Sequence, residues 1–360
     1  MNQHPSIDLV GLRETGLEVP SDEALDRLVY VVGSARGGTT IFLRSLRIHP
    51  RVLGVPVTHF VDDVLPHLKS TNYRAWHALV MHPSFCNLET LRGELTDEQT
   101  YWLNLYTWEV ARKKDAGSAL KLYPLIYSLT QRNFGDPIAP HYIKPSDAAC
   151  WIHRDTTWRD MDVILKAMPH AQFIFIYRDP RASISSMGLY ESVPMGSRGQ
   201  IIDVELVRAA IYWRLLSQKT LLFARKYSDR CLTVRYEDLV MDPVGELGRV
   251  YAFLGCEPMS SDTTMARLSE VTGRPTNSKY LYSGLSREPL DRWMKVLSSD
   301  QIALIGEITG VTARRIGYDI EGPVMPRIGK LLGRCGDLVS GLKIGGRLVQ
   351  ETFNELRLLD

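Results

Sequence analysis

Residues 28–41 read LVYVVGSARGGTTI, and this stretch leaves few folds open to the chain. The apolar run from Leu28 to Val32 has the length and composition of a buried strand, and Gly33 stops it. A short glycine-bearing loop follows, and Thr39 and Thr40 open a segment, Ile41 to Ile48, with the spacing of an amphipathic helix. Strand, glycine loop and helix in that order turn several backbone N–H groups toward one point. The positive end of the helix dipole adds to their field. Arg36 puts a permanent positive charge in the loop, and the threonine hydroxyls supply further donors. Ser34, Ala35, Arg36, Gly37, Gly38, Thr39 and Thr40 are therefore the candidate cradle for a phosphate or sulfate. A Walker loop would need G-x-x-x-x-G-K-[ST]. Gly33 and Gly38 have the right separation, but Thr39 stands where the lysine belongs and the cation comes earlier, at Arg36. That spacing argues against a metal-dependent nucleotidase.

Residues 171–187, AQFIFIYRDPRASISSM, repeat the strand-to-helix logic. Ala171 to Tyr177 is a short apolar and aromatic run of the kind found in buried parallel strands. Arg178 ends it, Asp179 suits an N-cap and Pro180 the first helical position. An anion there would meet Arg178 from the strand end and Ser186 from the helix. Two separate anion sites at strand ends point to a ligand with phosphates at both ends of a nucleoside.

Together with two later segments, these motifs resemble the sulfotransferases that use 3′-phosphoadenosine 5′-phosphosulfate (PAPS). In that family the first loop binds the 5′-phosphosulfate, and an arginine with a serine eight positions later binds the 3′-phosphate. Arg178 and Ser186 have that separation, and RDPRAS resembles the form in carbohydrate-type and bacterial members. LTVRYEDLVMDP, residues 232–243, resembles the block whose tyrosine, here Tyr236, lies near the adenine. SGLSREPLDRWMKVLSSDQIALIGEITG resembles the C-terminal tryptophan-bearing block; Ser278 and Lys279, just ahead of it, and Arg287 fall on a loop that in relatives folds over the 3′-phosphate side, while Trp293 itself reads as a core anchor. The resemblance runs from about residue 28 to residue 319. It implies a P-loop-NTPase-like α/β fold of three layers, a mostly parallel sheet flanked by helices, with the ligand at the strand carboxyl ends.

Bulk properties fit one large α/β domain. The chain has 360 residues, 44% of them hydrophobic, enough for a sizeable core. A net charge of only +2, without a basic tract, makes nucleic acid an unsuitable partner. Five scattered cysteines without C-x-x-C spacing argue against a disulfide framework or a zinc site, and no metal is expected. Residues 1–16 lack a signal pattern, and no apolar run approaches the ~20 residues of a transmembrane helix; a cytoplasmic protein is expected. Residues 1–22 read as an arm and 23–321 as the sulfotransferase domain. Within that domain, residues 60–140 form a helical, aromatic-rich insertion expected on the acceptor side, and Tyr142–Ile143 suggest a third strand ending at Lys144. Val204 to Lys226 suggest a long helix and Cys231 to Arg235 a strand, while Ser298 or Ser299 should cap a last helix that Gly310 closes. Residues 322–360 lie beyond the resemblance, and their glycines weaken any long helix. That tail is expected to pack on its own domain or on a partner subunit rather than lie on a membrane surface.

The resemblance implies sulfuryl transfer from PAPS to a hydroxyl of a carbohydrate, lipid or small-metabolite acceptor, leaving 3′-phosphoadenosine 5′-phosphate. It gives Arg36 the role of stabilising the leaving 5′-phosphate and Lys144 contact with the sulfuryl oxygens. The segment VPVTHFVDD, residues 55–63, resembles a family block, often K-E-x-H-F-F, whose glutamate is the general base. Val57 occupies that position here, so His59 becomes the candidate base, with Asp62, Asp63 and His153 in reserve. Two other classes stay open: a P-loop kinase-like phosphotransferase, and a non-catalytic nucleotide-binding module, to which Val57 lends weight.

Overall fold

A computed structural model describes residues 13–16, 19–54, 96–98, 101, 105, 117–121, 124–125, 144–155, 158–188, 203–272 and 285–321. Five parallel strands form one sheet in the order β2-β3-β1-β4-β5: β1 Leu28–Gly33, β2 Val52–Gly54, β3 Cys150–Asp155, β4 Gln172–Tyr177 and β5 Cys231–Arg235. Parallel pairing demands crossovers, and helices fill them on both faces. The described helices are α1 Asp22–Asp26, α2 Thr39–Leu46, α3 Met161–Ala167, α4 Pro180–Gly188, α5 Asp203–Lys226, α6 Tyr236–Met241, α7 Pro243–Phe253, α8 Ser261–Thr272, α9 Glu288–Asp291, α10 Trp293–Val296 and α11 Ser299–Ile316.

Every residue of β1 is buried, as a central strand covered on both faces requires. Alternation then sorts its side chains. Tyr30 and Val32 join Trp151, Phe173 and Phe175 in an aromatic layer under α3 and α5. Val29 and Val31 join Ile152, Ile174 and Ile176 in a β-branched layer under α2, α6 and α7. A third cluster joins α4, α5 and α11 and takes in Trp293, the expected core anchor.

One expectation about elements needs correction, and one lies outside the described residues. The strand on the far side of β1 is Cys150–Asp155. Tyr142 and Ile143 lie outside the described residues, and Lys144 leads into a 3-10 turn, Pro145–Asp147, ahead of the amino end of β3. The last helix also runs through Gly310 to Ile316, and Gly317, at φ 95°, closes it. Gly310 and Gly306 are buried within α11, where a Cβ on Gly306 would strike the carbonyl of Glu321. Close packing, not chain reversal, explains glycine at 306. The capping box that Ser298 makes with Gln301 matches the expected start.

At the amino edge, His49 is buried between α2 and β2, its ring 4.6 Å from that of Tyr251. Its Nδ1 accepts from the Arg51 N–H at 3.1 Å, so Nε2, 2.9 Å from the Glu257 carbonyl, carries the proton. Burial first, with Arg267 and Arg51 behind it, lowers its pKa, so the fold prefers the neutral ring. This contribution to stability is fully present above about pH 6.5. It is lost as pH falls from there through the lower folded-state value. Thermal melts should show a drop in that window, and His49→Asn, whose amide oxygen can still accept from Arg51, should flatten it. An unchanged pH profile in His49→Asn would place the acid-sensitive group elsewhere.

Candidate functional site

Four adjacent strands, β3, β1, β4 and β5, deliver side chains to one edge of the sheet, their carboxyl ends. From β1 comes the loop Ser34–Gly38. Gly37 N–H closes on the Ser34 carbonyl at 2.9 Å, and a Cβ on Gly37 would press on that same carbonyl. Arg36 has φ 60°, the left-handed region that costs a non-glycine residue about 1–2 kcal/mol. Gly38 follows at φ 89°, where a Cβ would be driven into the ring of Tyr236. The loop is thus wound tightly enough for its N–H groups to converge. No side chain caps the N-terminus of α2 that follows.

The neighbouring strand ends add the cations. From β3, one Arg154 nitrogen donates to both Thr39 Oγ1 and Thr40 Oγ1, at 2.9 and 2.8 Å. From β4, Arg178 is buried; its two terminal nitrogens donate to the Arg36 carbonyl at 2.9 Å and the Pro289 carbonyl at 2.7 Å, leaving Nε without a hydrogen bond. Its guanidinium lies 4.8 Å from the centre of the Tyr236 ring, the first residue beyond β5. The Trp213 indole N–H, on α5, holds the Arg178 carbonyl at 3.1 Å. Arg36 Nε reaches Ser186 Oγ on α4 at 3.1 Å.

The structure therefore brings Ser34–Thr40, Arg178, Ser186 and Tyr236 together. Arg36 links the two anion positions read from the sequence: its Nε donates to Ser186, and its carbonyl accepts from Arg178. Arg287 is exposed and precedes α9, two residues from the Pro289 carbonyl that Arg178 grips. His59, Asp62, Asp63, Val57, Ser278 and Lys279 lie outside the described residues, as do most of 60–140 and all of 322–360. His153 does not suit a base that meets an acceptor: it is fully buried in β3 and stacked on Tyr30, ring centres 5.5 Å apart. Arg154 is the residue sequence reasoning missed. Its one signal was an arginine followed by Asp155 and two threonines after a strand-length run.

Such a site concentrates positive charge, backbone donors and hydroxyls around one loop, with an aromatic face beside them. It can hold a ligand carrying two anionic groups and a flat ring, and neutralise charge that develops between them.

The profile of the sulfotransferase family matches residues 29–261. The chain is 27% identical over 186 residues to omega-hydroxy-beta-dihydromenaquinone-9 sulfotransferase Stf3 of Mycobacterium tuberculosis, covering 48% of this chain and 42% of that protein. It is 25% identical over 168 residues to protein-tyrosine sulfotransferase 2 of Gallus gallus, covering 43% and 42%. The matched region is thus about two fifths of either relative's length. Among solved structures, the sulfotransferase domain from the Synechococcus PCC 7002 olefin synthase superposes with a TM-score of 0.51 at 20% identity, over 84% of this chain and 97% of that one; the two share a fold. Among the described residues, no helix is long and apolar enough to cross a membrane.

Proposed function

The chain belongs to the sulfotransferase family, and from that premise we propose that it transfers a sulfuryl group from PAPS to a hydroxyl of a carbohydrate, lipid or small metabolite. The observation that carries this reading is the convergence of Arg36, Arg154 and Arg178 on the loop after β1, with Ser186 and Tyr236 beside them. The donor set fits the nucleotide. The Gly37–Gly38 cradle has no room for a Cβ, suiting close backbone approach to a 5′-phosphosulfate, and the buried, unbonded Nε of Arg178 suits a 3′-phosphate.

Bound there, PAPS supplies an activated sulfuryl group. Arg36, Arg154 and the backbone donors of Gly37–Thr40 neutralise the charge that grows on the bridging oxygen as the S–O bond breaks. Sulfuryl transfer resembles phosphoryl transfer in its loose transition state, so positioning and charge stabilisation dominate. Arg178 and Ser186 hold the 3′-phosphate, and Tyr236 packs on the base. Arg287, near the Arg178 side, closes over it. His59 takes the acceptor proton, and residues 60–140 shape the acceptor pocket. The kinase alternative loses ground to Arg154: a guanidinium bonded to both threonine hydroxyls stands where a Walker loop would direct its hydroxyl to magnesium.

Calorimetric titration tests the reading. 3′-Phosphoadenosine 5′-phosphate without magnesium is expected to bind in the micromolar range, and ATP with magnesium weakly. The reverse pattern would move the protein to the P-loop kinases. His59→Ala is expected to retain bisphosphate binding while losing about 10²–10⁴-fold in turnover, the usual weight of a general base. Full turnover in that variant would remove His59 from the mechanism.

A further inference from the structure

Beside the nucleotide contacts lies an acid that the proposed transfer does not use. Glu237 follows Tyr236 on the first turn of α6. Its Oε1 accepts the backbone N–H of Asp179 at 3.0 Å, and its Oε2 accepts the phenol O–H of Tyr318 at 2.7 Å. One carboxylate thus clasps three pieces of chain: the turn between β4 and α4, the junction of β5 with α6, and the segment after α11. Each piece is anchored further. The Asp179 carboxylate takes Arg181 in a pair at 2.6 Å, Arg181 lies 4.2 Å over the Trp293 ring, and Arg235 lies 4.5 Å over the Tyr318 ring.

An acid close to an anion site is unfavourable for binding through its charge alone. Glu237 faces Arg178, Arg235 and Tyr318, with Asp179 and Asp238 as the neighbouring carboxylates. Its presence there is understandable through what it connects. Asp179 is bonded in the chain to Arg178, and Glu237 to Tyr236. The Asp179 N–H···Glu237 bond therefore ties together the two backbone segments that carry the guanidinium and the ring, groups 4.8 Å apart. A nucleoside with a 3′-phosphate must satisfy both at once, whereas one without it needs only the ring.

We propose that Glu237 is a positioning residue that fixes Arg178 relative to Tyr236 and so sets the preference for a nucleotide bearing a 3′-phosphate over one lacking it. This rests on the nucleotide reading above. The conservative variant separates linkage from charge. Glu237→Gln keeps an oxygen for the Asp179 N–H and removes the charge; Glu237→Leu removes both acceptors at similar bulk; Tyr318→Phe removes one donor and leaves the acid.

The test is the ratio of dissociation constants for adenosine 5′-phosphate and 3′-phosphoadenosine 5′-phosphate, measured by calorimetry without magnesium, beside a thermal melt of each variant. The preference for the bisphosphate should shrink about tenfold or more in Glu237→Leu, the scale of a lost bond to a charged group. It should shrink roughly threefold in Tyr318→Phe and stay near wild type in Glu237→Gln. A folded Glu237→Leu protein with an unchanged ratio, whatever its melting temperature, overturns the proposal. Should Glu237→Leu fail to fold, an unchanged ratio in Tyr318→Phe overturns it equally. A wild-type protein without any preference for the bisphosphate defeats the nucleotide reading itself, a result distinct from a variant failing.

Discussion

Arg178→Ala is expected to cost the protein most of its affinity for 3′-phosphoadenosine 5′-phosphate. Arg178 is buried, both terminal nitrogens are committed to carbonyls, and its face lies against Tyr236. Truncation removes a charge from a desolvated position and frees the Arg36 and Pro289 carbonyls together. Losing a buried, hydrogen-bonded charge of this kind typically costs 2–5 kcal/mol, roughly 30- to 4,000-fold in Kd. Arg178→Lys should recover little, because a point charge cannot span two carbonyls and also present a flat face to the ring. Adenosine 5′-phosphate, which lacks the 3′-anion, should lose much less. Calorimetry on both nucleotides reads the difference. A bisphosphate Kd within about threefold of wild type would make Arg178 a structural strut and send the 3′-phosphate elsewhere.

How far this site could be read from the sequence depended on how local each signal was. The runs at β1 and β4 are apolar, buried on both faces and ended by Gly33 and Arg178, so their periodicity and their breaks were both visible. The Asp179–Pro180 start of α4 was equally plain, since the cap lies two residues from its partner: Arg181 N–H donates to Asp179 at 2.8 Å. By contrast β3 reads CWIHRD, with three polar residues in six, and only the fold supplies Tyr30 for His153 to stack on. The same strand hid Arg154, whose threonine partners lie 115 and 114 residues away. Glu237 is in like case, since Tyr318 is 81 residues distant. Gly310 misled because glycine both ends helices and lets them approach closely, and the sequence does not say which need it serves. What was missed is long-range pairing between side chains, and those pairs make the site polar.

Arg154 carries the second large effect. It enters from the carboxyl end of β3 and bonds both hydroxyls at the start of α2, beside the loop proposed to hold the 5′-phosphosulfate. A cation so placed gains most from the charge that appears as the S–O bond breaks, because that charge is small in the ground state and full in the product. Arg154→Met should therefore lower turnover about 10²–10³-fold, the usual loss for one donor aimed at developing charge. Bisphosphate affinity should fall much less than turnover. Arg154→Lys should lie between, keeping the charge but on a compact, more strongly hydrated head that lacks the planar guanidinium. Without a known acceptor, the readout is background hydrolysis of labelled PAPS, in which water takes the sulfuryl group to give sulfate and leaves 3′-phosphoadenosine 5′-phosphate. Lys144→Ala is the control, since Lys144 stands ahead of the amino end of β3. If Lys144→Ala lost turnover and Arg154→Met did not, the sulfuryl-facing cation would be Lys144, and the Arg154–threonine bonds would serve only to shape the loop. If Arg154→Met alone fails, charge at the edge of β3 is what the reaction needs. The threonine pair then acts as the rest that holds the guanidinium against the loop until a nucleotide arrives.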